Sequence, residues 1–266
     1  MKLITAHNGQ LIETAESAWT DAARPRGQQT GLPLLDALLP AGGLTQGAVH
    51  ELLFKHEHPR PYAVAAIFLQ LREKETKRKR DEVEDQACAH SLSLSVSRPL
   101  SLCTSPTIIW SDATHTLYPP ALFAAGINPH DLWILHPRTE QEALWAAAEC
   151  LRCKGVGVTV TQLPARLHRN DVRRLQLAAE RGGGMGIIMR PMTRGSEIYA
   201  AATRWLVEPA RGERTIHRWK LTLLHGHGGQ VGESIFLERC RENNLVRATA
   251  QLARGPSFAA ARWETA

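Results

Sequence analysis

The chain has 266 residues, 43% of them hydrophobic, enough to bury one sizeable core and too apolar for wholesale disorder. No apolar run reaches the ~18 residues of a membrane helix, and the acidic opening stretch lacks the apolar h-region of a signal peptide. Five cysteines, an odd number, do not describe a disulfide scaffold, so a reducing cytoplasm is expected. The formal charge of +6 is uneven: residues 151–220 hold 14 Lys or Arg against 5 Asp or Glu, a local +9, and the remainder nets −3. Two readings of the basic half stand side by side, nucleic-acid contact and an Arg-rich solvated surface.

Residues 1–29 read as a loosely docked N-terminal arm. Pro33 to Leu39 predicts a short helix with Pro in its first turn, stopped by Gly42 and Gly43. A strand is expected over Gln46–Phe54 and a helix over Tyr62–Leu71, with Val64, Ile67, Phe68 and Leu71 on one stripe. Residues 72–105 combine a run of mixed charge with a Ser-rich stretch and read as a surface insertion. Lys77–Arg80 within it is interleaved with acids that compete for its cations.

Thr107–Asp112, an apolar run ending in a carboxylate, has the pattern of a buried parallel strand. Pro119–Ala125 gives a short helix and Leu132–Leu135 another buried strand. Thr139 and Glu142 form a capping-box signature ahead of Leu144, Ala147, Ala148 and Leu151 at helical spacing. Val156–Gln162 follows as a strand. Asn170 is expected to cap a helix burying Val172, Leu175, Ala178 and Ala179. Gly182–Gly184 stops that helix, and Gly186–Arg190 is the next strand. Ala202–Val207 and Ile216–Leu224 lack intervening helices and read as antiparallel strands extending the sheet. Beyond Cys240 the sequence reads as a mobile tail, 241–266. The sum is an α/β fold with a mostly parallel sheet covered on both faces.

General catalytic and metal motifs are weak. Cys150 and Cys153 make one CxxC at a helix C-terminus, where a structural zinc lacks its second pair and a redox thiol lacks the helix N-terminus that activates it. His225 and His227 read as a turn. No metal and no cofactor are expected.

A resemblance carries further. Thr30, Gly31, Leu35, Asp36, Leu38, Gly42, Gly43 and Gly47 match the entry to a RecA-type ATP-binding core. There the first core strand runs into a GxxxxGK[ST] loop that holds phosphates and magnesium. Here the corresponding residues run from Phe54 through Lys55 and Arg60 to Tyr62, with no glycine and with Pro59 and Pro61 lacking amide donors. Asp112–Pro119 resembles the next RecA segment, but the water-polarising glutamate falls at Thr114, which is no carboxylate base. Val156–Leu163 carries no Walker B acid. Three missing parts in a fitting frame suggest a pseudo-ATPase.

That combination is similar to the ImuA family, RecA-related and SulA-like. Its motifs stand here at Thr30–Leu52, Tyr118–Leu122, Glu142–Ala146, Arg173–Glu180 and Arg218–Leu223, within a RecA-like three-layer domain over 30–240. The resemblance implies a non-enzymatic accessory role in the SOS-type DNA-damage response and translesion DNA synthesis. The partners it implies are an ImuB-like inactive Y-family polymerase, an error-prone replicative-type DNA polymerase, and RecA. Arg173, Arg174, Arg181, Arg218 and Lys220 are the DNA-facing candidates, each weighed against an ordinary solvated face. The arm over 1–29 is the candidate for self-association. A divergent ATPase using Lys55 or Arg60, and a SulA-like cell-division inhibitor, remain as alternatives.

Overall fold

The computed structural model describes residues 3–7, 10–14, 27–40, 42–71, 107–192, 201–226 and 229–250. Strands β1 (Leu3–His7) and β2 (Gln10–Thr14) pair antiparallel as a hairpin of their own. Strand β3 (Gly27–Gln28) lies within the residues read as an arm, yet it pairs with β4 (Leu44–Thr45) and so belongs to the folded unit. Between them sits helix α1 (Pro33–Leu38). The amide and hydroxyl of Thr30 both donate to Asp36 Oδ1, at 2.8 and 2.7 Å, and the Leu32 amide donates to Thr30 Oγ1. The Thr-Gly…Asp signature is therefore a device for folding the chain entry. Gly43 is fixed by close approach, since a Cβ there would lie 2.3 Å from the Gln28 carbonyl oxygen.

The rest alternates as expected: β5 (Val49–Phe54), α2 (62–71), β6 (Thr107–Ser111), α3 (Pro119–Ala124), β7 (Leu132–Leu135), α4 (Glu140–Arg152), β8 (Val156–Gln162), α5 (Arg169–Gly182), β9 (Met185–Pro191) and β10 (Thr203–Ala210). Then come β11 (Ile216–Gly226), β12 (Ser234–Cys240) and β13 (Val246–Thr249). The main sheet has nine strands in the order β13-β12-β11-β10-β5-β9-β8-β6-β7. Neighbours from β10 to β7 pair parallel, while β10 to β13 pair antiparallel. The mostly parallel sheet with a C-terminal antiparallel extension is as the sequence predicts. Two additions were not foreseen: β12, and β13 inside the residues read as a mobile tail. The folded unit continues past Cys240 to at least Thr249. The insertion over 72–105 and the tail beyond 250 lie outside the described residues.

The sheet has a helical layer on each face. One core joins Leu35 and Leu38 of α1, Val64 to Leu71 of α2 and Leu122 of α3 with Leu52, Trp110, Val160, Ile187, Trp205 and Leu221. The other joins Ala147 and Leu151 of α4 and Val172, Leu175 and Ala178 of α5 with Val49 and Ile188. Helix α2 departs from the expected single stripe. Ala65, Ala66 and Leu69 are buried along with Val64, Ile67 and Phe68, so the helix is enclosed on almost every side.

The Thr139 cap holds, with its hydroxyl accepting from the Glu142 amide, but the Glu142 carboxylate reaches the Arg138 amide one residue further out than a capping box requires. Helix α5 starts at Arg169, after an uncapped His168, so Asn170 is not its cap. Gly183 ends it in the left-handed region at φ +77°, its amide donating to the Ala179 carbonyl. No helix among the described residues is long and apolar enough to cross a membrane.

Candidate functional site

In open parallel sheets, ligands gather beyond the carboxyl ends of the strands, where neighbouring connections run to opposite sides. Here that place is the loop after β5, flanked by the ends of β9 and β10, with those of β8 and β6 beyond β9. Two of its amides are engaged within the loop itself. The His58 amide donates to the Lys55 carbonyl and the Tyr62 amide to the Arg60 carbonyl, each at 2.9 Å. Pro59 and Pro61 have no amides to offer.

The side chains of the crevice are tied to one another. Lys55 forms a 2.7 Å ion pair with Glu208 on β10, outside the loop. The hydrogen bond to Glu208, reinforced by its charge, holds the Lys55 ammonium above its ordinary range. The same hydrogen bond holds the Glu208 carboxyl below its own range, with Lys220 adding to the effect. Arg60 is half-buried.

Thr114, at the position of the water-polarising acid, donates its hydroxyl to Asp112 Oδ1 at 3.0 Å, while the Leu117 amide donates to Asp112 Oδ2 at 2.8 Å. With that proton committed, Thr116 Oγ1 gives its own to Thr114 at 2.8 Å, and the Tyr62 hydroxyl donates to Thr116 at 3.0 Å. Gln162 Oε1 at the end of β8 stands 3.4 Å from the same phenol. A chain of hydroxyls thus links the start of α2 to the carboxylate after β6. Beside it the His115 and His136 rings stack at 4.3 Å, and His136 Nδ1 lies 2.9 Å from the Asp112 carbonyl oxygen.

The strand end at the Walker B position offers Thr161, buried, and Gln162, half-buried, and no acid. Phe54, read as part of the degenerate loop, is a core residue 5% exposed. Among the described residues no three His, Cys, Asp or Glu side chains gather as metal ligands. Cys150 is half-buried and Cys153 exposed, and burial raises the Cys150 thiol pKa, which makes it less reactive.

The five DNA-facing candidates do not form one surface. Arg173, Arg174 and Arg181 are exposed on α5 and fall within about 100° of arc by the helical period, opposite its buried stripe. Lys220 is half-buried on β11, facing Glu208 in register on β10. Arg218 corrects its expectation. It is 7% exposed, its Nε donates to Glu238 Oε1 at 2.6 Å, and its remaining reach goes to the Arg211 carbonyl. A buried, paired guanidinium is not available to a phosphate. Alternation across β11 placed Arg218 on a solvated face, but the outer face of the extension carries its own ion pairs, with Arg247 on the second oxygen of Glu238.

Two groups escaped sequence reasoning. Glu51, in the middle of β5 and fully buried, accepts from Arg190 at 3.2 Å and Arg204 at 2.8 Å. The signal was available, since a carboxylate inside a buried apolar strand demands a cation. His50 beside it is also fully buried. Thr203 Oγ1 accepts from the Trp205 indole and so gives its proton to His50 Nδ1 at 2.8 Å, leaving Nε2–H to donate to the Thr45 carbonyl at 3.0 Å. This network holds the neutral ring, and burial lowers its pKa to about 4 from 6.5 despite the bond to Thr45.

Because the folded pKa is depressed, the unfolded chain binds the extra proton between pH 6.5 and about 4, so stability falls as pH drops through that window. Unfolding free energies from urea titrations at pH 7 and pH 4.5 are expected to differ by about 2–3 kcal/mol from this group. His50→Gln should abolish that part of the slope; an unchanged slope in the variant would refute the assignment.

No family model matches the chain. Protein ImuA of Caulobacter vibrioides strain NA1000 / CB15N is 26% identical over 218 residues, covering 76% of this chain and 79% of its own. Protein ImuA of strain ATCC 19089 / CIP 103742 / CB 15 of that species matches to the same extent. Among solved structures, the crystal structure of the RadB recombinase superposes with a TM-score of 0.54 at 10% identity, covering 83% of this chain and 98% of that one. That likeness, at so low an identity, is one of fold. The chain is similar to the ImuA proteins and shares the fold of the RadB recombinase.

Proposed function

We propose that this protein is a non-enzymatic RecA-fold accessory factor of the SOS-type DNA-damage response and error-prone translesion synthesis, working in the cytoplasm. It acts by binding rather than by turnover. The partners we propose are RecA, an ImuB-like inactive Y-family polymerase and an error-prone replicative-type DNA polymerase, with DNA contact alongside. The observation that carries the reading is the state of the crevice after β5. Lys55 is held by Glu208, Thr114 is hydrogen-bonded to Asp112, and two prolines stand among the residues where a phosphate loop needs amides. The relationship to ImuA supplies the pathway.

Titration calorimetry with ATP and magnesium tests the first half. No heat of binding is expected up to about millimolar nucleotide, a range weaker than about −4 kcal/mol, and Lys55→Ala should leave that result unchanged. Micromolar binding with turnover would establish the divergent ATPase instead. The second half is tested by pull-down of the tagged chain from DNA-damaged cells. RecA and polymerase subunits are expected in the eluate; recovery of a tubulin-like division protein in their place would favour the SulA-like role.

A further inference from the structure

Strand β10 runs parallel to β5, so the start of β11 and the end of β12 lie toward the same end of the sheet as the crevice after β5, displaced onto the antiparallel extension. Four side chains meet there. His217 and Trp219 are two apart on β11 and share a face. Their rings stack with centroids 5.8 Å apart and planes at 22°. Arg239 stands directly opposite His217 in the register with β12. The Arg241 amide donates to the Thr215 carbonyl at 2.8 Å, continuing the pairing one step and keeping Arg241 on the side of Arg239. Burial, then the charges of Arg241 and Arg239, hold the His217 imidazole below its ordinary range, so the ring is neutral at pH 7.

The cations of this patch differ from the others on the sheet. Arg190 and Arg204 meet Glu51, and Arg218 and Arg247 meet Glu238. Arg239 meets only a neutral amide, donating to Asn244 Oδ1 from Nε at 3.1 Å and from a terminal nitrogen at 2.6 Å. Among the described residues neither Arg239 nor Arg241 has a carboxylate partner. Glu242, next to Arg241 in the chain, and Glu213, two residues before Thr215, are exposed and bond to neither. Burial alone lowers the Arg239 pKa, and a half-buried guanidinium with no carboxylate is a place where an incoming anion offsets lost solvation. An uncharged, flat aromatic pair on β11 beside two cations on the neighbouring strand matches a nucleotide, with phosphate on guanidinium and base on ring. An acidic peptide would use the cations and leave the ring face idle.

We propose that single-stranded nucleic acid docks on this β11–β12 edge, with a base on the His217–Trp219 stack and adjoining phosphates on Arg239 and Arg241. The site is separate from the α5 arginines, and it rests on the reading above only for the choice of polymer. The test is fluorescence anisotropy of a labelled single-stranded oligonucleotide with the full chain at about 50 and about 200 mM salt. The parent should bind in a salt-sensitive way. Arg239→Ala with Arg241→Ala should weaken binding about tenfold or more at low salt and flatten the slope of log K against log salt by about 1.4, two phosphate contacts' worth. Arg241→Glu, a change at an exposed position, should weaken it in the same sense. Trp219→Ala should weaken it about 5- to 100-fold, and Trp219→Phe, which keeps a ring on the core, should restore most of the loss. Circular dichroism verifies that each variant folds.

A parent that does not bind overturns the proposal, and it leaves the accessory role to the pull-down. Variants that bind like the parent, while Arg173→Ala with Arg174→Ala and Arg181→Ala abolishes binding, overturn this site and move DNA to α5. Equal competition by an acidic peptide of matched charge, indifferent to Trp219, overturns nucleic acid as the occupant.

Discussion

Glu51→Ala is expected to cost about 3–5 kcal/mol of folding free energy, the range for removing one partner of a buried ion pair. The reason is what remains. Arg190 is fully buried and keeps only its bond to the Ala165 carbonyl, while its Nε already has no partner. A lone guanidinium at that depth has neither water nor a counter-charge. Glu51→Gln preserves the shape and one acceptor but not the charge, and should fall between parent and alanine. Replacing Glu51, Arg190 and Arg204 together by apolar residues of matching volume should recover much of the loss, because no charge is then stranded. Guanidinium unfolding at constant slope measures all of these. A Glu51→Ala midpoint within about 1 kcal/mol of the parent would show that the cluster is not a buried counter-charge site.

Trp205→Ala is expected to rank beside it, at about 3–5 kcal/mol, for a different reason. Trp205 is fully buried on β10, and its ring meets Phe68 of α2 edge-on at 6.5 Å and 82°. Deleting it opens a cavity between the sheet and a helix enclosed on nearly every side, so little can collapse into the space. It also removes the donor that orients Thr203 toward His50. Trp205→Phe keeps most of the ring contact and loses that donor. It should cost much less than alanine while still perturbing the pH response of His50. A phenylalanine variant as unstable as the alanine one would shift the weight from packing to the hydrogen bond.

These two residues mark where sequence reasoning held and where it stopped. The alternation of buried runs with helical spacing placed β5 to β9 and their helices, because a strand buried on both faces has almost no polar residues to confuse its pattern. The strand that carries Trp205 was placed as well, through the lack of a helical pattern before Ile216. Glu51 did not, since its cations come from β9 and β10, far along the chain. The outer face of the extension failed similarly: Arg218 alternates like a solvated residue, and only the neighbouring strands supply Glu238 and Arg247. Strand β13 is four residues, Val246–Thr249, too short to carry a period. In the crevice, the lack of glycines and the prolines were legible. The chain from Tyr62 to Asp112 was not, because its members sit on two connections brought together only by the sheet.

The position of β5 has a consequence for how the molecule comes into being. It lies between β9 and β10, and Glu51 and Arg204, which join across that boundary, are 153 residues apart in the chain. The strand is synthesised early and acquires its second neighbour late. Contacts of such separation close slowly, whereas the β10–β13 hairpins pair locally. A nascent chain that has emerged only through β9 therefore presents one bare edge of a strand that is buried throughout in the finished fold. During that interval its protection must come from chaperones or from the speed of translation.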